Sequence, residues 1–136
     1  MQAPKEFRLD IGDVELFVVE WAGSGDPILL LHATGFHSRC WNQVVKRLPG
    51  RHIFAVDLRF HGASDASGKT DWRMMAGDIR LLIEKLNLTR LVGVGHSIGG
   101  YLIAHAATQV PERCKHLILI DPVIMAPERY LQFQVF

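Results

Sequence analysis

The stretch VGVGHSIGG, Val92 to Gly100, decides how the rest of the chain is read. An apolar run, RLVGVG, leads into it and reads as a strand. A run rich in small residues, IGGYLIAHAATQV, leads out of it and reads as a helix ending before Pro111. Ser97 therefore sits where a strand hands over to a helix. Further on, CKHLILID (Cys114 to Asp121) reads as one more buried strand, and the tail PVIMAPERYLQFQVF has no clear period. Upstream, Trp72, Met75, Ile79, Leu82 and Leu86 recur at intervals of three and four, which predicts a helix from Asp71 to Asn87 with Asp71 as its N-cap. Before it come a polar loop (DASGKTD), a buried strand (HIFAVDL), a short helix (CWNQVVKRLPG), another buried strand (ILLLH, Ile28 to His32) and a loop, Gly23 to Pro27. The chain opens with two strands, EFRLDI and VELFVVE, around a turn at Gly12-Asp13. After that hairpin, strands and helices alternate. This predicts an α/β fold: a mostly parallel sheet with helices on both faces, in one domain over residues 1–136, without repeats or linkers.

The bulk numbers agree with a globular chain. It has 136 residues, 49% hydrophobic and 21% charged, with a formal net charge of +1. Scattered Lys and Arg residues argue against a nucleic-acid or acidic membrane partner. The opening MQAPKEFRLD lacks the apolar core of a signal peptide, and apolar stretches such as Leu117 to Ile120 are too short to span a bilayer. Cys40 and Cys114 are far apart and form no C-x-x-C pair, so two free thiols in a reducing, cytoplasmic setting are expected.

Gly95-His96-Ser97-Ile98-Gly99 fits G-x-S-x-G, the pattern of a nucleophile elbow. There a serine is held on a strained turn at the C-terminal end of a sheet, and the following helix aims its positive end at the same spot. Glycines on either side let the backbones pass closely. The competing reading is a serine that merely caps the helix in a glycine-rich turn. A dinucleotide fingerprint fails, because Gly93 and Gly95 begin G-x-G-x-x-G but Ile98 ends it.

Two further stretches strengthen the first. LLLHATGFHSRCW (Leu29 to Trp41) ends a strand in a loop, and DLRFHGASD (Asp57 to Asp65) does the same. Together with GHSIGG they resemble the N-terminal half of an α/β-hydrolase, from about residue 6 to about residue 125. The resemblance implies that Ser97 is the nucleophile and that the backbone N–H groups of Thr34 and Ile98 form an oxyanion hole. It implies supporting places for His32, Gly95, His96, Gly99 and Gly100. It also makes His61 a loop-stabilising residue, with Phe60 standing where the family usually has glycine.

The same resemblance leaves a gap. Its chain order is serine, acid, histidine, with the acid and base after strands seven and eight. Six strands are legible here. His105 lies about 12 Å along its helix from Ser97 at 1.5 Å per residue, and His116 starts the last strand at the wrong end. His32 and His37 on the oxyanion loop are the nearest alternatives. Asp121, ending the last strand, is a candidate acid or a loop-bonding aspartate. The expectation is a hydrolase fold cut short before strands seven and eight, with the general-base histidine missing. Leu117 to Ile120 then becomes an exposed apolar edge, open to self-association or a partner chain. Three readings stand. The first is a serine hydrolase of carboxylic esters or related small-molecule carbonyls. The second is a lyase or C–C hydrolase on the same fold. The third is an inactive truncated form or fragment acting through partner binding. No cofactor and no metal are implied, since neither H-E-x-x-H nor a Cys/His cluster occurs.

Overall fold

The structure, a computed structural model, describes residues 3–130. The opening hairpin pairs β1 (Lys5–Asp10) with β2 (Glu15–Trp21) in antiparallel register, Lys5 opposite Glu20 and Asp10 opposite Glu15. Four more strands follow: β3 (Ser24–Leu31), β4 (Arg51–Val56), β5 (Leu91–His96) and β6 (Cys114–Ile120). They form one sheet in the order β1-β2-β4-β3-β5-β6. β4, β3, β5 and β6 run parallel to one another, while β2 meets β4 antiparallel.

The sheet is covered unequally. On one face lie α2 (Trp72–Lys85) and α3 (Ile98–Gln109), whose buried sides join Leu29, Leu31, Phe54 and Val56 in the larger core. The predicted period of α2 is the buried stripe Trp72, Met75, Ile79 and Leu82. Its predicted cap is present too: the Asp71 carboxylate accepts from Arg73 N at 2.7 Å and Met74 N at 3.4 Å, worth about 1 kcal/mol. On the other face, among the described residues, sits only α1 (Asn42–Val45) with the 3₁₀ turn Ser38–Trp41 before it. Trp41 and Val45 pack there against Val19, Ile28, Leu30, Ile53, Ala55 and Val94.

Two expectations need adjustment. The loop read over Gly23 to Pro27 is partly strand: Ser24 pairs with Arg51 before the register shifts to Ile28 opposite Ile53. The helix read over Cys40 to Gly50 is shorter and tighter, one 3₁₀ turn and one α turn, consistent with adjacent β-branched Val44 and Val45. The last strand is largely exposed, as expected for the apolar edge at Leu117 to Ile120: it ends the described sheet, and among the described residues no helix covers its second face. In the tail, α4 (Pro127–Tyr130) forms a single turn. The rest of the tail, 131–136, lies outside the described residues.

Candidate active site

The turn between β5 and α3 is strained where the sequence said it would be. Ser97 has φ 54° and ψ −117°, a conformation costly for any residue with a Cβ. It stands at the N-cap position of α3, yet its side chain makes no capping hydrogen bond. The simple capping role is therefore not what the hydroxyl does. Its backbone is tied to the next strand instead: Ser97 N donates to Ile120 O at 3.0 Å, and Val123 N donates to Ser97 O at 3.1 Å.

The glycines around it are demanded by contact. A Cβ on Gly95 would lie 2.2 Å from Gly99 O, and one on Gly99 would lie 2.5 Å from Leu31 O and 2.8 Å from His32 O. One on Gly100 would lie 2.8 Å from the Pro122 Cβ. These contacts draw the first turn of α3 against the end of β3, where the loop carrying Thr34 begins. That loop turns at Ala33 to Phe36, with Phe36 N donating to Ala33 O at 3.2 Å and Gly35 at φ 82°. Among the described residues, neither Thr34 N nor Ile98 N donates to a protein acceptor. Thr34 is exposed and Ile98 is buried at the head of α3.

His32 is fully buried and has no spare nitrogen. Leu58 N donates to Nε2 at 3.0 Å, so the proton sits on Nδ1, which donates to Ala33 O at 2.8 Å. Burial lowers its pKa to about 4, so the ring stays neutral near pH 7. It ties the end of β3 to the end of β4 and is unavailable as a base, which removes one of the two nearest alternatives. His37, the other, is exposed and accepts from Arg39 N at 3.3 Å. His61 Nδ1 donates to Arg59 O at 2.9 Å and its ring lies 5.0 Å from that of His32. His52 meets Glu20 at 2.8 Å. His105 meets Gln109 at 3.3 Å and packs near Tyr101, and His116 is on exposed β6.

His96 lies beside Ser97 but lines a recess of about 220 Å³ with Phe36, Cys40, Trp41 and Val44. Phe36 is 54% exposed and Val44 40%, a sizeable open apolar surface near the elbow. The sequence reading missed this recess. The signal was there in Phe36 and Trp41, on the loop and turn after Thr34. Asp121 directly follows β6 with φ 43° and is exposed, in the segment that hydrogen-bonds the Ser97 backbone on both sides.

The loop after β4 is the best-anchored part of the region. The Asp57 carboxylate accepts from Ser38 N at 2.7 Å and Ala63 N at 2.8 Å, linking this loop to the turn before α1. Arg59, 2% exposed, makes a bidentate pair with Asp78 at 2.7 and 2.8 Å and a second with Asp13 at 3.0 and 3.1 Å. The Asp78 carboxylate holds the Arg59 guanidinium well above its ordinary pKa. Phe60 takes φ 69°, which accounts for a glycine preference at that position. Among the described residues, no three His, Cys, Asp or Glu side chains converge to hold a metal ion. None of the described helices is long and apolar enough to cross a membrane.

Known proteins share this architecture. Residues 26–135 match the family described as alpha/beta hydrolase fold. The chain is 30% identical over 112 residues to the lipase LipV of Mycobacterium tuberculosis, covering 82% of this chain and 43% of the lipase. Among solved structures, E-2-(acetamidomethylene)succinate hydrolase superposes with TM-score 0.80 and 33% identity, over 87% of this chain and 44% of that one. The epoxide hydrolase CorEH gives TM-score 0.82 and 28% identity, over 91% and 45% respectively. The chain spans less than half the length of each of these proteins.

Proposed function

The chain belongs to the alpha/beta hydrolase fold family, and on that premise we propose that it carries the nucleophile-bearing part of a serine hydrolase acting on a carboxylic ester or related carbonyl. Ser97 Oγ attacks the carbonyl carbon. The oxygen that becomes negative accepts hydrogen bonds from the N–H groups of Thr34 and Ile98, with the positive end of α3 behind it. The alcohol leaves with a proton, and water then releases the acid from the acyl-serine. Proton transfer needs a general base. That base is a histidine from outside the described residues, which Asp121 orients. The apolar recess at Phe36, Trp41 and Val44 supports a substrate with an apolar group beside its carbonyl. The free thiols of Cys40 and Cys114 support a reducing, cytoplasmic setting.

The observation that carries this reading is the strained Ser97 backbone, held there without a capping bond. Strain of this kind is kept where it serves a task. A fluorophosphonate, with the adduct located by mass spectrometry, tests it. The expected result is an adduct on Ser97, absent in Ser97→Ala, that forms faster when imidazole is added in place of the external base. No adduct on folded protein with imidazole present would overturn the assignment. The bare edge at Leu117 to Ile120 supports a second element of the reading, that another strand joins the sheet there.

A further inference from the structure

Four exposed residues, Thr34 to His37, cross between two buried ones, Ala33 and Ser38. Both ends of this span are tied to the loop after β4. At the first end, His32 accepts from Leu58 N on Nε2 at 3.0 Å and donates from Nδ1 to Ala33 O at 2.8 Å. At the second end, Ser38 N donates to one oxygen of the Asp57 carboxylate at 2.7 Å. The other oxygen accepts from Ala63 N at 2.8 Å. Asp57 is buried, and a Cβ on Gly62 would lie 2.0 Å from its Oδ2, so the loop after β4 is folded around this carboxylate. Asp57 is fixed in turn to β2. Its N donates to Phe17 O at 2.9 Å, and Ser64 Oγ accepts from Phe17 N at 2.8 Å and donates to Asp57 O. All of these contacts lie on β2, β3, β4 and their loops, with β5 between them and β6. A buried charge is costly unless it is bonded, and aspartate is the side chain of this length that offers acceptors on both sides. Asparagine would turn an amide NH₂ toward one of the two N–H groups.

We propose that Asp57 is a positioning residue for the reaction at Ser97: through Ser38 it sets the loop that carries the Thr34 N–H, so that this amide is in place before a substrate arrives. The inference rests on the roles proposed for Ser97 and Thr34. An oxyanion donor is effective when it is already aimed at the place where charge develops. Within the span, the chain is held by the turn bond from Phe36 N to Ala33 O, and Gly35 at φ 82° gives it freedom to move. The placement of Thr34 therefore depends on the two anchors. His32 fixes the start. Ser38 opens the 3₁₀ turn whose Trp41 packs in the smaller core, and its bond to Asp57 sets where that turn meets the loop. The loop after β4 thus acts as a rigid template for the loop after β3.

Nitrogen-15 relaxation on the purified chain measures the loop directly. The amide order parameters of Thr34 and Gly35 should stand near ~0.85 in the unaltered chain and fall below ~0.6 in Asp57→Asn. Fluorophosphonate labelling of Ser97 with imidazole present reads the consequence. Asp57→Asn should lower the maximal labelling rate by about 10- to 100-fold and leave the half-saturating concentration unchanged, because the amide meets the oxygen in the transition state. Asp71→Ala is the control: it removes the cap of α2 and destabilises the chain without touching this loop, and both readings should stay as they were. Order parameters below ~0.6 in the unaltered chain would overturn the proposal, whether or not Asp57→Asn folds. A loop equally rigid in Asp57→Asn would overturn it too, as would a labelling loss shared by Asp71→Ala. If the unaltered chain takes no adduct, the Ser97 reading fails instead, and the order parameters still decide whether Asp57 holds the loop.

Discussion

Gly99→Ala is the substitution that most sharply tests how the elbow is held. The added methyl would lie 2.5 Å from Leu31 O and 2.8 Å from His32 O, where ordinary contact begins at 3.4 Å. Both neighbours are main chain, so no side chain can rotate away. Leu31 is also fixed on both sides, by Val56 and by Gly95. Either α3 or the end of β3 must retreat by nearly ~1 Å, and overpacking of this kind costs about 1–3 kcal/mol. The retreat also carries the Ile98 N–H out of place, and a misplacement of this size slows a positioned reaction by roughly 10²-fold. Gly77→Ala is the control. Gly77 lies inside α2 with nothing within 4 Å of the added methyl, so alanine there should stabilise by about 0.5–1 kcal/mol. Urea unfolding followed by tryptophan fluorescence measures both. Substitutions that move stability in the same direction, or a Gly99→Ala loss under about 0.5 kcal/mol, would refute the packing argument.

Three more outcomes can be checked by the same unfolding assay. Asp78→Ala leaves the Arg59 guanidinium buried with the exposed Asp13 as its one charged partner, beside the Ser67 carbonyl, and should cost about 3–5 kcal/mol, while Arg59→Met with Asp78→Leu should recover most of it. A loss near ~1 kcal/mol, as for a surface pair, would contradict this. Ser97→Gly should exceed Ser97→Ala in stability by about 1–2 kcal/mol, since glycine alone is free of the elbow strain; equal stabilities would mean the turn is relaxed. His32 gives a pH signature. Its folded pKa, about 4, lies below its ordinary value of 6.5, so the unfolded chain binds the proton first. The contribution is intact above pH 6.5 and is lost as pH falls toward 4, by about 3 kcal/mol. His32→Asn should flatten that slope, and an unchanged slope would remove His32 as its source.

Much of the fold was legible because its signals are local. The strand-serine-helix junction, the period of α2 and its Asp71 cap each lie within a short window, and all three are seen. Boundaries set by tertiary contact were harder. Ser24 joins the sheet because Gly23 lets the chain pass against Arg51, a contact between distant residues. The exposure of β6 was legible from the count of six strands, not from the apolar run CKHLILI, which on its own reads as buried. At the site, Ser97 and its glycines were readable as a motif. The recess at Phe36, Trp41 and His96, and the closed hydrogen bonding of His32, arise where three loops meet.

The central claim is that Ser97 is presented to a carbonyl whose oxygen meets the Thr34 and Ile98 amides. The most direct test is a crystal structure of the phosphonylated protein. The account predicts the adduct on Ser97 Oγ with a phosphonyl oxygen about 2.7–3.1 Å from both Thr34 N and Ile98 N. An oxygen turned to solvent with both amides unoccupied, or an adduct on another residue, would contradict it.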